Sequence, residues 1–492
     1  MIIIQNVYCC NKKCVLNLNK YSEYFVKVHC YRLYLKGERK GNKMQEEKGL
    51  KKKMGFWQVW ALGVGAVVGD GMFLLVASGA QNAGPACIIS YIIAGLILMC
   101  ICMTACELAV GMPRAGSLHD WNKRILGPRW GMLAAFMEAS MNVIFLGSVS
   151  LGTGYISNYF FMWTDNPDIS AVIWGVGILA IIFVVTMLGG EVTGKAQLGL
   201  IIILCGIMVV FIVAGFLSGK VAPENYEPFA PFGGKGIWLA ICAGTYAYAG
   251  PFALLTTSGE VKKPEILPKA MFWAFLTIII MYALSMAVCL GLVHYTEYAT
   301  MDSPFTLAAK FAFGNAAGTV INFAAWIACV TCLVGEMFTV SRLVYGMGIQ
   351  GVVPKSFGKL NKFGVPHMGL IFSLVVGLIL ILMGIVPALG NVYVMLTNIS
   401  AAFGVVAMCI TVISSYMYKK KFPEEYGNLT WRLPCRNLFF IVSIVGGAIL
   451  FWATFSSSIQ TIVAVCVYLV ILLLFYQFYS KPHSEQAEKL SE

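Results

Sequence analysis

Histidine and charge are scarce in this chain, and the motifs of nucleotide-driven or metal-dependent chemistry are missing. Five histidines occur among 492 residues (His29, His119, His294, His367 and His483), all in segments that read as loops or termini. A membrane-embedded enzyme needs a nucleophile–base pair or a His/acid metal cluster inside its spans, so their placement argues against an enzyme. No GxxxxGK[ST] phosphate loop is present to harness nucleotide hydrolysis. Net charge is +12, yet no basic segment is long enough to form an arm or groove, so nucleic acid is not an expected partner. The 16 cysteines sit mostly in apolar runs (Cys87, Cys100, Cys102, Cys106, Cys205, Cys329, Cys332), where they act as small apolar residues. Their spacing makes no zinc or disulfide framework. Cys9, Cys10, Cys14, His29 and Cys30 come nearest to a metal cluster, but their surroundings match no metal-site pattern. No cofactor and no metal site is expected.

A clean signal peptide is also missing from the start, where no basic stretch, apolar core and small-residue cleavage site follow in order. Residues 1–43 differ from the rest and read as a disordered extension or a mis-called start. Met44, followed by QEEKGLKKKMGFW, reads as a natural beginning.

What the chain has in abundance is apolar sequence. It is 59% hydrophobic and only 12% charged, with a mean hydropathy of +0.78. Runs of about 20 apolar residues match the hydrocarbon core of a bilayer at helical rise. They are continuous rather than alternating, which makes strands a poor alternative. The expected fold is an all-α polytopic membrane protein whose lipid partner is the bilayer. Twelve transmembrane helices are expected, at 56–80, 87–110, 131–162, 170–189, 196–218, 234–258, 270–294, 315–346, 368–386, 391–418, 437–456 and 459–479. Lys51–Lys53 and the linkers PRAGSLHDWNKRILGPRW, EVKKPEILPK, PKSFGKLNKFGVPH and YKKKFPEEY carry most of the basic residues. The alternate linkers WTDNPD, ENYEPFAPF, HYTEYATMDSP and SSS are acidic or neutral. The positive-inside rule then places both termini in the cytoplasm of a multi-pass plasma-membrane protein.

Two spans invite a break. The first holds Gly63, Gly65, Gly69 and Gly71 beside a bare carboxylate, Asp70; the sixth holds Gly244, Gly250 and Pro251 in CAGTYAYAGPF. Glycine disfavours a helix interior by up to about 1 kcal/mol and proline by about 3 kcal/mol. Broken backbone survives at membrane depth only where protein or a watery cavity satisfies it. Interrupted helices at matching places in two halves point to an alternating-access binding site, whereas small residues alone would mark only close helix packing.

GVGAVVGDGMF, CELAVGMPRAGSLHDWNKRILGPRWG, SGEVKKPEILPKAM and SRLVYGMGIQGVVPKSFGKLNKFGVPH, in that order, resemble the signatures of the amino acid–polyamine–organocation (APC) family of permeases. The resemblance covers roughly residues 54–420. It implies a leucine-transporter-like core of five plus five inverted-repeat helices over 44–420, with helices 1 and 6 discontinuous. Residues 421–492 then hold helices 11 and 12 and a cytoplasmic tail. It implies a secondary active transporter, symporter or exchanger, moving an amino acid or related amine. It places the backbone of Val67, Val68, Gly69 and Gly71 against a substrate carboxylate, which free amides at a half-helix start would favour. The carbonyls of Ala243, Gly244 and Thr245 would meet the substrate amine, and Tyr246 would form an aromatic lid.

Departures from the family pattern sharpen the reading. Asp70 stands where a small polar residue is usual, the pocket-facing position of helix eight falls on Glu336, and Glu138 lies on helix three, which borders the pocket. An ionised residue at the bilayer centre costs at least about 2.5–3.5 kcal/mol unless paired or hydrated. The deep spans hold almost no Lys or Arg; Lys195 lies near the start of helix five, and 200–212 lacks the lysine tied to coupling in several relatives. Three roles for the carboxylates stay open. They bind a cationic substrate (a decarboxylated amine, polyamine or basic amino acid), carry a coupling proton, or help Thr339, Ser341 or unwound carbonyls hold sodium. Asp70 and Glu336 lead as amine-binding or coupling groups, with Glu138 a further coupling candidate. Glu107 reads as a structural or gating contact, and Glu260 with Lys262 and Lys263 as the inner mouth or a solvated loop. Arg342 is expected to pair with an acid of the first five helices when the gate shuts. A non-transporting nutrient sensor is the remote alternative. Oligomeric state is not legible.

Overall fold

The computed structural model describes residues 52–113, 116–300, 303–386, 392–456 and 459–483, and its regular elements are helices. The first expected span is in pieces: α1 (Phe56–Val67), α2 (Asp70–Phe73) and α3 (Leu75–Ala83). Then follow α4 (Cys87–Gly111), α5 (Ser117–Leu126), α6 (Pro128–Asn158), α7 (Pro167–Met187), α8 (Gly190–Leu217) and α9 (Gly233–Ala247). After α9 come α10 (Phe252–Thr256), α11 (Ile266–Leu292), α12 (Pro304–Phe313), α13 (Asn315–Ile349) and α14 (His367–Leu382). The chain ends in α15 (Val392–Lys421), α16 (Pro423–Gly427), α17 (Arg436–Ser456) and α18 (Ile459–Phe475). Eleven helical stretches among the described residues are long and apolar enough to cross a bilayer. The remaining expected span is the broken first one, whose pieces are each too short alone. Residues 1–43, with the cysteine–histidine group, lie outside the described residues.

Local chemistry explains where the helices start and stop. Pro128 and Pro167 occupy first turns, where a missing N–H is no loss, and Asn166 caps α7 by accepting from the amides of Asp168 and Ile169. At Gly84, with φ +61°, the chain turns after α3. Gly79 then faces Cys87 and Tyr91 of α4, so the two helices run back on each other. Helices α5 and α12 fall within segments that read as linkers. Each is a short helix with one apolar face: Leu118, Trp121 and Ile125 of α5 are buried, as are Phe305, Ala308 and Ala312 of α12. His119, expected in a loop, is a buried residue of α5.

The long α6 packs along α15, α13 and α7, while α9 lies against α3 and α4, and α11 against α1 and α4. Large apolar side chains such as Val210 and Leu217 of α8 face outward, the surface a bilayer would cover.

The two breaks fall in the first and sixth spans, five crossings apart, so their polarities are opposed. Val68 (φ −78°, ψ 103°) and Gly69 (φ −142°, ψ −145°) leave the helix between α1 and α2. Between α9 and α10, Gly250 takes φ +91° and Pro251 has no amide to donate. Gly71 brings the breaks together: a Cβ there would lie 2.6 Å from Ala247 Cα.

Candidate functional site

Unwound backbone must find partners where water is absent, and side chains from neighbouring spans supply them. The Tyr282 hydroxyl on α11 lies 3.1 Å from the Ala247 carbonyl and 3.4 Å from that of Val67, one donor shared between both breaks. Cys332 Sγ donates to Ala66 O at 3.3 Å. Gln197 Nε2 on α8 donates to Thr331 O at 2.8 Å and fills the space that a side chain at Gly65 would need.

Asp70 opens the second half of the broken first span and is fully buried. Its Oδ2 accepts the hydroxyl of Tyr393 on α15 at 2.8 Å and that of Tyr246 on α9 at 3.2 Å. The amides of Asp70 and Gly71 also face the carboxylate. Oδ1 has no hydrogen-bond partner among the described residues. Tyr246 is held by ring contact with Phe145, centroids 4.8 Å apart, and by Ser148 Oγ at 3.2 Å. One carboxylate therefore ties both broken spans to α15 and, through Tyr246, to α6.

Glu336, on α13, is a second buried acid at the breaks. A Cβ added to Gly250 would fall 2.4 Å from Glu336 Oε1 and 2.5 Å from Ala66 O, so this acid reaches the point where both spans open. Both its carboxylate oxygens lack partners among the described residues. Glu138 on α6 accepts from Asn142 Nδ2 at 3.3 Å, and its Oε2 is likewise unpaired. Glu336 is within electrostatic reach of both Glu138 and Asp70. None of the three acids has a basic side chain in salt-bridge range among the described residues. All three are completely buried.

The other expected residues are placed as follows. Val67 ends α1, Val68 and Gly69 are the extended link, and Gly71 lies in α2. Ala243, Gly244 and Thr245 stand inside α9, where the Tyr248 amide donates to Gly244 O. The opening of the sixth span begins a turn later, at 248–251. Thr339 bonds back to Gly335 O, and Ser341 accepts from Arg342 Nη1.

At the end carrying the basic linkers, Arg342 pairs with Glu260 and not with an acid of the first five helices: Nε donates to Oε1 at 2.9 Å. Glu260 follows the sixth span and is buried rather than part of a solvated loop. Its carbonyl accepts from the amides of Lys53 and Met54 at 2.9 and 3.0 Å, and Met54 bridges Val261. The start of the first span is thus strapped to the end of the sixth. Glu107 belongs to a separate network. Oε1 accepts from Tyr426 Oη and the Leu433 amide, at 2.8 and 3.1 Å, and Oε2 from Arg436 Nε at 3.2 Å, linking α4 to α17.

Tyr393 and Tyr282 carry no signal in the sequence that sets them apart. Each stands among apolar residues of its helix, indistinguishable there from a packed aromatic; only the approach of their helices to the breaks gives them partners.

The amino acid permease family model matches residues 58–484. An uncharacterized amino acid permease, YtnA of Bacillus subtilis, is 29% identical over 84% of this chain and 92% of its own length. The branched-chain amino acid permease BcaP of the same organism is 26% identical over 89% and 95%. A methylthioribose transporter, also from Bacillus subtilis, is 27% identical over 89% and 95%.

Proposed function

The chain belongs to the amino acid permease family, and on that premise we propose that it is a secondary transporter that moves an amino acid by alternating access and binds the substrate's ammonium at Asp70. Residues 44–420 serve as the transporting core and 421–492 as an addition to it, in the plasma membrane with both termini cytoplasmic. The observation that carries the ammonium assignment is the free Oδ1 of Asp70. A carboxylate buried between two broken helices, with no basic side chain in salt-bridge range among the described residues, is uncompensated, and a substrate cation would neutralise it. Glu336, at the meeting point of Ala66 and Gly250, is the coupling group. Its two bare oxygens suit a group that exchanges a cation as the breaks open and close.

A second reading has a specific observation in its favour. Asp70 opens α2, at the half-helix start where a substrate carboxylate would seek backbone amides. Like charges there disfavour an α-carboxylate, which would select amines or polyamines instead. The substrates named for similar proteins, branched-chain amino acids and methylthioribose, differ enough that relatedness at this level leaves the choice to experiment.

Counterflow in proteoliposomes across neutral, basic and decarboxylated amino acids tests the reading. Accumulation of labelled amino acid supports it, and accumulation of amines alone favours the second reading. Asp70→Asn should weaken competition by amino-bearing substrates at least about ten-fold, the scale of one charged hydrogen bond. Glu336→Gln should abolish the response to an imposed proton or sodium gradient while counterflow persists. Unchanged behaviour in both variants would refute the carboxylate roles.

A further inference from the structure

Asp70 offers its two oxygens unequally, and the inequality has a consequence for substrate choice. A carboxylate has about four lone-pair sites, two on each oxygen. Oδ2 receives two hydroxyl donors, Tyr393 at 2.8 Å and Tyr246 at 3.2 Å, and is saturated. Oδ1, equally buried, receives none among the described residues. The backbone of α6 closes over the saturated side: a Cβ at Gly152 would lie 3.3 Å from Tyr393 Cε2 and 3.4 Å from Asp70 Oδ2. Tyr393 thus lies against the α6 backbone. Tyr246 is further pinned by the Phe145 ring and Ser148.

Guanidinium and ammonium ask different things of a carboxylate. A guanidinium presents a rigid planar fork whose best contact uses both oxygens through two parallel N–H bonds. An ammonium is a compact charge with three rotatable donors and is satisfied by one oxygen. From this geometry we infer that Tyr393 is a specificity-determining residue: by occupying Oδ2 it leaves Asp70 a one-oxygen acceptor that takes primary ammonium groups and rejects guanidinium groups. Tyr246 supports the same restriction from the sixth span. The inference rests on the proposed meeting of Asp70 with the substrate cation, and names the class of cation.

Matched pairs differing only in the cationic group test it: glycine against guanidinoacetate, 4-aminobutyrate against 4-guanidinobutyrate, and butylamine against butylguanidine. Each competes with counterflow of whichever labelled amino acid or amine the full-length protein accumulates. In the parent, the amino member of a pair should compete at least about ten-fold better than its guanidino partner, the difference made by one charged hydrogen bond. Tyr393→Phe frees a lone pair on Oδ2, and the amino-to-guanidino ratio should fall about ten-fold. Tyr246→Phe should move it the same way. A purely structural role would weaken both members equally and leave the ratio where it was. If either variant fails to transport, ligand-induced thermal stabilisation of the purified variant gives the same ratio without flux. Preserved ratios in both variants overturn the inference while leaving ammonium binding at Asp70 intact. Parent competition that ignores the cationic group altogether, in Asp70→Asn as in the parent, overturns the ammonium reading itself.

Discussion

Arg342 on α13 and Glu260 beyond α10 form an ion pair with 1% and 7% of their side chains exposed, Nε to Oε1 at 2.9 Å. The guanidinium also donates to Ser341 Oγ and lies over the Phe338 ring, 3.4 Å from its centroid. Because the Glu260 carbonyl also holds the amides of Lys53 and Met54, the pair fastens α13, the end of the sixth span and the start of the first at one point.

Breaking that pair from one side strands a buried charge, which destabilises by about 3–5 kcal/mol. Arg342→Met or Glu260→Met alone should sharply lower the melting temperature in detergent, and the double variant should recover a large part of the loss. A double variant no more stable than the single ones would show that the charges hold nothing together.

Gly250 takes φ +91°, and a Cβ there would strike Glu336 Oε1 and Ala66 O. Gly250→Ala therefore combines backbone strain of about 1–3 kcal/mol with displacement of Glu336. Counterflow should fall at least about ten-fold even in the fraction that folds, measured per molecule of monodisperse protein. Normal flux in Gly250→Ala would mean that the opening of the sixth span is not needed.

Tyr282 shares one hydroxyl between the carbonyls at the two breaks. Tyr282→Phe should destabilise the protein by about 1 kcal/mol. Hydrogen exchange should quicken at 67–72 and 247–250 and stay unchanged in α17. Uniform quickening across the chain would point to global loosening instead.

Glu107 and Arg436 lie within a network joining α4 to α17, apart from the buried acids at the breaks. Glu107→Ala should lower stability by about 3 kcal/mol without shifting the relative potency of competing substrates. A change in substrate ranking would give Glu107 a role at the site after all.

Much of this architecture follows from one-dimensional facts. Apolar run length against bilayer thickness determines the spans, and the spacing of basic linkers pairs the loops: Lys123 and Gln350, then Arg124 and Glu425, meet at the same end. Glycine and proline mark the breaks at 68–69 and 248–251, because those residues change backbone energetics wherever they stand. The amphipathic helices α5 and α12 were harder to see, being short and set among linker residues.

Partners across the bundle belong to tertiary structure alone. Asp70 and Glu336 announce themselves as charges in apolar runs, yet nothing in the sequence says that Tyr393, 323 positions away, donates to Asp70. Nor does it say that Arg342 meets Glu260 in preference to any other acid. A buried charge declares a need that local sequence can register. Which group answers it depends on helix rotation and packing, and those are decided only when all the spans close on one another.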